Sequence, residues 1–408
     1  MSNTAETRFT LKHPELGTGP IPTDIYWKED FYERELEAIF RRAWLWAGRV
    51  EQVAKPGAFF VKSIPTFDAS ILITRTSSEA IKAYHNTCQH RGNHVELSSE
   101  GNCRVFTCPF HGWSYNLDGE LAGVPDSDAF YDLDRSSLSL PEVSVDVWEG
   151  FIFINLQESP NETLEEFLGK QGRNLSGYPF EKGKAVFSYE GQIDTNWKCM
   201  VDSFTEAYHV PVLHKRSVKD SFCGPNNPHG RLLDVDLSGH HRKISVAGNP
   251  EYQPRPVQGL AYRFSPGAAV TSGDGGQSEN QLPENINPTK DPSWVFDIAV
   301  FFPNLLLFVG GGMHFLHQIW PLSANNVHWE MRGFLREAQT AAERFGQENS
   351  IVELRDAVLE DTNTLERIQI ALKRQTIREF IYHDHELALR YNFHTVNRWV
   401  QEYEKEAP

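Results

Sequence analysis

From Trp27 to Phe40 the run WKEDFYERELEAIF returns apolar side chains every three or four positions, the repeat of an amphipathic helix. The texture then changes. AWLWAGRV and the β-branched runs AFFVKSI, SILITRT and AIKAYHN are separated by Gly, Pro, Ser and Asp, which predicts strands joined by turns. The pattern continues to WEGFIFINL at 148–156, whose unbroken apolar character predicts a buried strand. A small all-β domain is expected over 45–160, with 1–44 and 161–408 forming a second domain.

In that second domain ETLEEFLGKQGRNLSGY and NWKCMVDSFTEAYH predict helices and AVFSYEGQID a strand. WVFDIAVFF, NLLLFVG, MHFLHQIW and VHWEMRGFL predict further strands, followed by long helices from 338 to 403. Strand groups alternating with helices give an α+β class with an antiparallel sheet. Residues 1–30 read as an extended arm. Residues 265–293, polar and dense in turn formers, read as a surface loop or as a lid over a site.

Composition narrows the function classes. The chain of 408 residues carries a formal net charge of −16, so phosphate repels it, and neither nucleic acid nor an anionic membrane surface is an expected partner. It contains no apolar run long enough to cross a bilayer, and its start lacks the basic-then-apolar order of a secretory signal. Five cysteines do not suggest a disulfide framework. A cytoplasmic protein is expected, with thiols reduced or bound to metal. With 40% hydrophobic residues and 26 Phe, the chain can build apolar cavities as well as a core.

Chemistry concentrates first in NTCQHRGNHVELSSEGNCRVFTCPFHGW. Cys88 and His90 stand two apart, and a second thiol–imidazole pair, Cys108 and His111, stands three apart. Two thiolates and two imidazoles from two short loops can hold a [2Fe–2S] cluster, both Cys on one iron and both His on the other. Neutral His ligands raise the potential of such a cluster to roughly −150 to +300 mV, against about −400 mV for all-Cys plant-type clusters. A structural Cys₂His₂ zinc site is the alternative. Gly92, Pro109 and Gly112 supply turn chemistry beside the ligands.

A second cluster lies in NWKCMVDSFTEAYHVPVLHK. His209 and His214 would sit about 140° apart on a straight helix. Pro211, between them, breaks or kinks it and lets the imidazoles converge. Two His and one carboxylate form the facial triad of non-haem Fe(II) that activates O₂. In the helix NSIVELRDAVLEDTNTLERIQIALKRQ, periodicity selects Asp361: it lies within about 60° of Leu354, Val358, Leu365, Ile368 and Leu372. Glu360, Asp356 and Glu366 fall about 100° or more away, toward solvent. A carboxylate in an apolar stripe needs a partner, and a metal is a strong one. His314 or His317 is a candidate to line the pocket; His94, His240 and His241 read as packing or hydrogen-bonded groups.

The CxHRG…CPFHGW(S)Y segment, with AWLWAGR before it and WEGFIFINL after it, resembles the Rieske signature of the ring-hydroxylating oxygenase family, and EAYHxxxxH resembles that family's iron-binding segment. The resemblance implies a Rieske domain inserted in a helix-grip-like catalytic domain, with Cys88, His90, Cys108 and His111 on the cluster and His209, His214 and Asp361 on iron. Trp113 and Tyr115 would pack around the cluster. The resemblance also implies a head-to-tail homotrimer in which a carboxylate three residues before the first iron-binding His joins it to a Rieske His of the neighbouring subunit. That residue is usually Asp; here it is Glu206, as in some relatives that oxidise carnitine-like quaternary amines. Asp202 and Ser203 also depart from the residues many relatives carry near the iron.

The expected function is that of an oxygenase. Electrons from NAD(P)H would arrive through a separate reductase, with or without a ferredoxin, and O₂ would hydroxylate a small molecule. The aromatic content and the LLLFVG strand favour an apolar aromatic or cyclic substrate; a quaternary or methylated amine in an aromatic cage is the alternative. Dihydroxylation, monohydroxylation and oxidative demethylation share this machinery. A pure electron-transfer protein would explain the cluster but not the triad.

Overall fold

The computed structural model describes residues 8–264, 282–310 and 313–406; most of the segment read as a loop or lid, 265–281, lies outside them. The chain divides into two compact units, residues 40–167 and residues 1–39 with 168–408.

In the 40–167 unit seven antiparallel strands lie in the order Leu45–Arg49, Phe151–Asn155, Glu142–Trp148, Ile81–His85, Ala69–Arg75, Ala58–Ile64 and Glu100–Asn102. Phe151–Asn155 is buried at every residue, as its unbroken apolar run requires of an interior strand. A second sheet of three short strands (Val105–Thr107, Ser114–Asn116 and Leu121–Gly123) carries the second Cys–His loop. Leu72, Tyr84, Phe106 and Tyr115 form a core into which Cys88 and Cys108 are also folded.

The other unit is built on a seven-stranded antiparallel sheet, in the order Lys184–Ile193, Asn326–Leu335, Met313–Ser323, Leu305–Gly310, Trp294–Phe301, His241–Ala247 and Asp234–Ser238. Alternation along the strands sorts its two faces. Ile298 stands opposite Phe308, and Phe308 opposite Phe315, so these three and His317 share one face. The helices Trp197–Ser203, Ala341–Lys373 and Leu387–Glu406 belong to this unit. On Ala341–Lys373 the buried positions include Leu354, Val358, Asp361, Leu365 and Leu372, the stripe that periodicity selected. Among the described residues no helix is long and apolar enough to cross a membrane.

Three helical expectations need correction. The segment 27–40 is α-helical over Glu29–Glu35, then widens into a π turn over Leu36–Phe40. The helix Leu164–Leu175 is kinked at Gly169, whose φ of 48° only glycine adopts cheaply. NWKCMVDSFTEAYH is not one helix: it stops at Ser203, and a four-residue turn, Val210–Leu213, starts afresh after His209. Two hydroxyls explain the stop. Ser203 Oγ donates to the Met200 carbonyl at 2.9 Å and Thr205 Oγ1 to the Asp202 carbonyl at 3.0 Å, competing with the helical ladder. Pro211 therefore kinks no through-running helix; it opens the new turn, where its missing N–H costs nothing.

Candidate functional site

The two Cys–His loops are built alike. Cys88 N–H donates to the Asn93 carbonyl at 2.8 Å, and Gly92 N–H to the Cys88 carbonyl at 2.9 Å. In the second loop Cys108 N–H donates to the Trp113 carbonyl at 2.8 Å, and Gly112 N–H to the Cys108 carbonyl at 3.0 Å. Each loop closes through a glycine in the left-handed region, Gly92 at φ 79° and Gly112 at φ 75°. Repeated geometry brings like to like: both thiols are buried, and the His90 and His111 rings approach with centroids 4.5 Å apart.

Four ligands around one zinc ion would gather their atoms at a point. Among the described residues only His209, His214 and Asp361 bring three such atoms within 4.8 Å of one another, so the two Cys and two His form separated pairs instead. Separated pairs suit a two-iron cluster better than a tetrahedral ion. The donor set also fits: the buried Nδ1 of His90 has no hydrogen-bond partner in the protein, as an atom reserved for a metal would not. Burial works against a thiolate at Cys108, but the Phe110 amide, Cys88, Asn93 and the His111 amide together hold its pKa below the ordinary thiol value. Around the pairs, Trp113 stacks on His90 at 4.8 Å, and Tyr115 Oη lies 3.4 Å from Cys88 Sγ while accepting from Gln89 N–H at 2.9 Å. Cys103, Cys199 and Cys223 are free thiols, and His94 is exposed.

In the other unit His209 Nε2 lies 3.1 Å from His214 Nε2, and Asp361 Oδ1 lies 3.5 Å from the first and 3.2 Å from the second. Each imidazole is held from behind. Glu206 accepts from His209 Nδ1 and also from the backbone N–H groups of Tyr208 and His209, so it works from a turn rather than from a helical face. Glu360 Oε2 accepts from His214 Nδ1 at 2.8 Å. With both Nδ1 protons committed, two Nε2 lone pairs and a carboxylate oxygen face one another, an arrangement that needs a cation between them. The field at the site has the sign this requires: burial works to lower the His209 pKa, yet the Glu206 and Asp361 carboxylates lift it to about 9, so a positive charge, proton or metal ion, is favoured between these groups.

Glu360 is a correction to the sequence reading, which turned it toward solvent; its side chain instead reaches round to His214, and Ser217 Oγ steadies the same oxygen at 2.6 Å. No pattern in the sequence marks it beyond its place next to Asp361. Asp202, one of the departures noted above, is not in the triad. It is buried with Asn392 donating at 2.8 Å and Arg242 at 3.5 Å, and burial raises its pKa to about 7 against those favourable partners. The helix that leads to the triad is anchored by a fully buried ion pair, Lys198 Nζ to Glu35 Oε1 at 2.6 Å, with Trp197 Nε1 donating to the same carboxylate at 3.1 Å.

A cavity of about 100 Å³ opens beside the triad. His209, His214, Asp361 and Glu206 line one side; the sheet supplies Phe296, Phe308, Phe315 and His317, and Phe204 and Phe222 complete the aromatic wall. No Lys or Arg is among its described lining residues. Of the two histidines considered for the pocket, His317 is there; His314 packs on Phe334 at 4.7 Å instead.

Fold, paired Cys–His loops and a His–His–Asp triad beside a cavity define an iron oxygenase subunit of the Rieske type. Residues 43–144 match the Rieske [2Fe-2S] domain and residues 180–402 the ring hydroxylating alpha subunit (catalytic domain), and the chain belongs to this family of Rieske oxygenase alpha subunits. It is 33% identical over 226 residues to the chloroplastic choline monooxygenase of Beta vulgaris, covering 52% of this chain and 50% of that protein. To the carnitine monooxygenase oxygenase subunit of Acinetobacter pittii it is 31% identical over 212 residues, 51% of this chain and 52% of that one. The chain spans about half the length of the curated relatives it matches. Among solved structures, the quaternary ammonium Rieske monooxygenase CntA in complex with L-carnitine superposes with a TM-score of 0.73 at 20% identity, over 95% of this chain and 97% of that chain. Naphthalene 1,2-dioxygenase from Rhodococcus sp. bound to indole gives 0.73 at 21%, over 99% and 100%. Both likenesses concern the fold.

Proposed function

We propose that this chain is the oxygenase component of a multi-protein enzyme that takes electrons from a separate NAD(P)H-dependent reductase, with or without a ferredoxin, and inserts oxygen from O₂ into a small molecule. The observation that carries this is the His209–His214–Asp361 triad at the wall of an apolar cavity, in the same chain as a Rieske cluster domain. When bound, the [2Fe–2S] cluster supplies one-electron transfer and the mononuclear iron supplies O₂ activation.

The chain's residues divide the work. Cys88, Cys108, His90 and His111 would hold the cluster, the thiolates and the imidazoles acting as two pairs. His209, His214 and Asp361 would hold the mononuclear iron, which would supply O₂ activation beside the cavity. The aromatic wall excludes water. Glu206 fixes the tautomer of His209 from behind and, in a homotrimer assembled head to tail, would meet a Rieske histidine of a neighbouring copy, so that electrons cross between subunits. Unpaired cysteines suit a reducing compartment, and we place the protein in the cytoplasm.

For the substrate, the named relatives favour monooxygenation of a quaternary or methylated amine over the aromatic ring expected from composition. Phe204, Phe222, Phe296, Phe308 and Phe315 line the cavity, and a methylated ammonium that met the face of one of these rings would gain about 0.5–2 kcal/mol. The absence of Lys and Arg from the described lining keeps repulsion away from such a cation, and equally suits an uncharged aromatic molecule, which is the second reading. A single-turnover assay tests both. Iron-loaded protein is chemically reduced and mixed with ¹⁸O₂ and a panel of quaternary amines and uncharged aromatics. Label in an amine product is the expected result; label only in a ring product selects the second reading. A cluster that reoxidises without labelling any of the panel overturns both substrate classes.

A further inference from the structure

The cavity wall contains one polar side chain whose hydrogen bonding is half complete. His317, fully buried on the sheet face that floors the cavity, accepts from Trp329 Nε1 through its Nδ1 at 2.9 Å. An indole nitrogen only donates, so His317 Nδ1 carries no proton. The ring is also neutral, because burial drives its pKa down to about 3. Its single proton is therefore on Nε2, and that buried atom has no partner in the protein. Phe204 stacks on the ring face at 4.4 Å, where an in-plane N–H does not point. A buried donor left unpaired costs about 1–3 kcal/mol, a penalty that a bound acceptor removes.

We propose that His317 Nε2–H is the donor that orients the substrate, by binding an oxygen acceptor on it, so that this site selects a molecule carrying a hydroxyl or carbonyl oxygen. The inference rests on the oxygenase reading above and narrows its substrate class. An oxygen held at His317 and a reactive carbon held near the triad would fix the molecule at two points, which an all-Phe wall alone cannot do. His317 is thus a positioning residue for the substrate, distinct from the groups that hold iron.

Matched pairs test it. Choline against n-propyltrimethylammonium, and benzyl alcohol against ethylbenzene, each replace one hydroxyl by a methyl group. Binding is measured by calorimetry on protein carrying both iron centres, for wild type, His317→Asn and His317→Gln. Asn keeps an acceptor for Trp329 but deletes the Nε2 donor; Gln restores a donor near that place. Iron content and cluster absorbance, unchanged in both variants, establish that they fold. The expected result is a preference of at least about tenfold for the hydroxyl member of one pair in wild type, reduced to about twofold or less in His317→Asn and partly regained in His317→Gln. The proposal is overturned if no pair shows such a preference, or if His317→Asn retains it. ¹⁸O-labelled product formed without any preference would leave the oxygenase reading standing while the donor role falls; absence of both binding and label would remove the two together.

Discussion

Glu360 Oε2 accepts a hydrogen bond from His214 Nδ1 at 2.8 Å, while Ser217 Oγ donates to the same oxygen at 2.6 Å. The neighbouring residue, Asp361, turns its carboxylate to the other side of the same imidazole, 3.2 Å from Nε2. Two consecutive acids on one helix thus grip one histidine from both edges. Carboxylates behind metal-bound imidazoles typically change metal affinity or activity by about 10–100-fold when removed. Glu360→Ala is expected to lose mononuclear iron to a chelator at concentrations about 10–100-fold lower than wild type, with the cluster absorbance as internal control. Glu360→Gln, whose amide oxygen can still accept from Nδ1, is expected to fall between them. Equal retention in all three proteins would mean that Glu360 does not support the metal.

Asp361 offers a sharper test, because its loss removes the one negative ligand from two neutral ones. In Asp361→Asn the total iron is expected to fall from about three to about two per chain, with the visible spectrum of the cluster unchanged. A variant that retained all of its iron would place the third ligand elsewhere.

The parts of the fold that could be read in the sequence were those where burial alone dictates pattern. AFFVKSI spans the strand Ala58–Ile64, and the apolar run at the end of WEGFIFINL is the fully buried Phe151–Asn155. The closeness of His209, His214 and Asp361 was legible for a similar reason: a carboxylate in an apolar stripe stands out. What escaped were effects that side chains exert across or against the local pattern. Ser203 and Thr205 end a helix by bonding back to carbonyls three residues away, although the residues beyond them still suit a helix. Glu360 lies off the buried stripe, and only its length lets it reach His214. The proton position of His317 depends on Trp329, a partner one strand away that no spacing rule names.

Tyr115 tests the other centre. Its hydroxyl lies 3.4 Å from Cys88 Sγ, and hydrogen bonds to cluster sulfurs raise the potential by stabilising the extra electron of the reduced state. Tyr115→Phe removes one such bond, worth about 1 kcal/mol, which for a one-electron couple corresponds to about 40 mV. The midpoint of the cluster is expected to move negative by about that amount in a redox titration followed by absorbance. An unchanged midpoint would show that the hydroxyl serves only Gln89 N–H, 2.9 Å away.

His317 also makes a prediction about stability. Its folded pKa, held down to about 3 by burial, lies below the ordinary value of 6.5. Between those two values the unfolded chain binds a proton that the folded chain does not, so acid favours unfolding. The contribution of the neutral ring to stability is complete above pH 6.5 and is lost as the pH falls toward 3. Phe204, Phe308, Phe315 and Trp329 surround the ring, and none of them titrates in this range to offset the loss. At about pH 5 the loss amounts to about 2 kcal/mol, from roughly 1.4 kcal/mol per pH unit. Asn does not titrate, so the gap in stability between wild type and His317→Asn is expected to shift by about 2 kcal/mol in favour of the variant between about pH 7 and pH 5. Urea unfolding of the two proteins at both pH values measures it directly. A gap independent of pH would mean that the ring can be protonated in place, which would in turn free Nδ1 from its bond to Trp329.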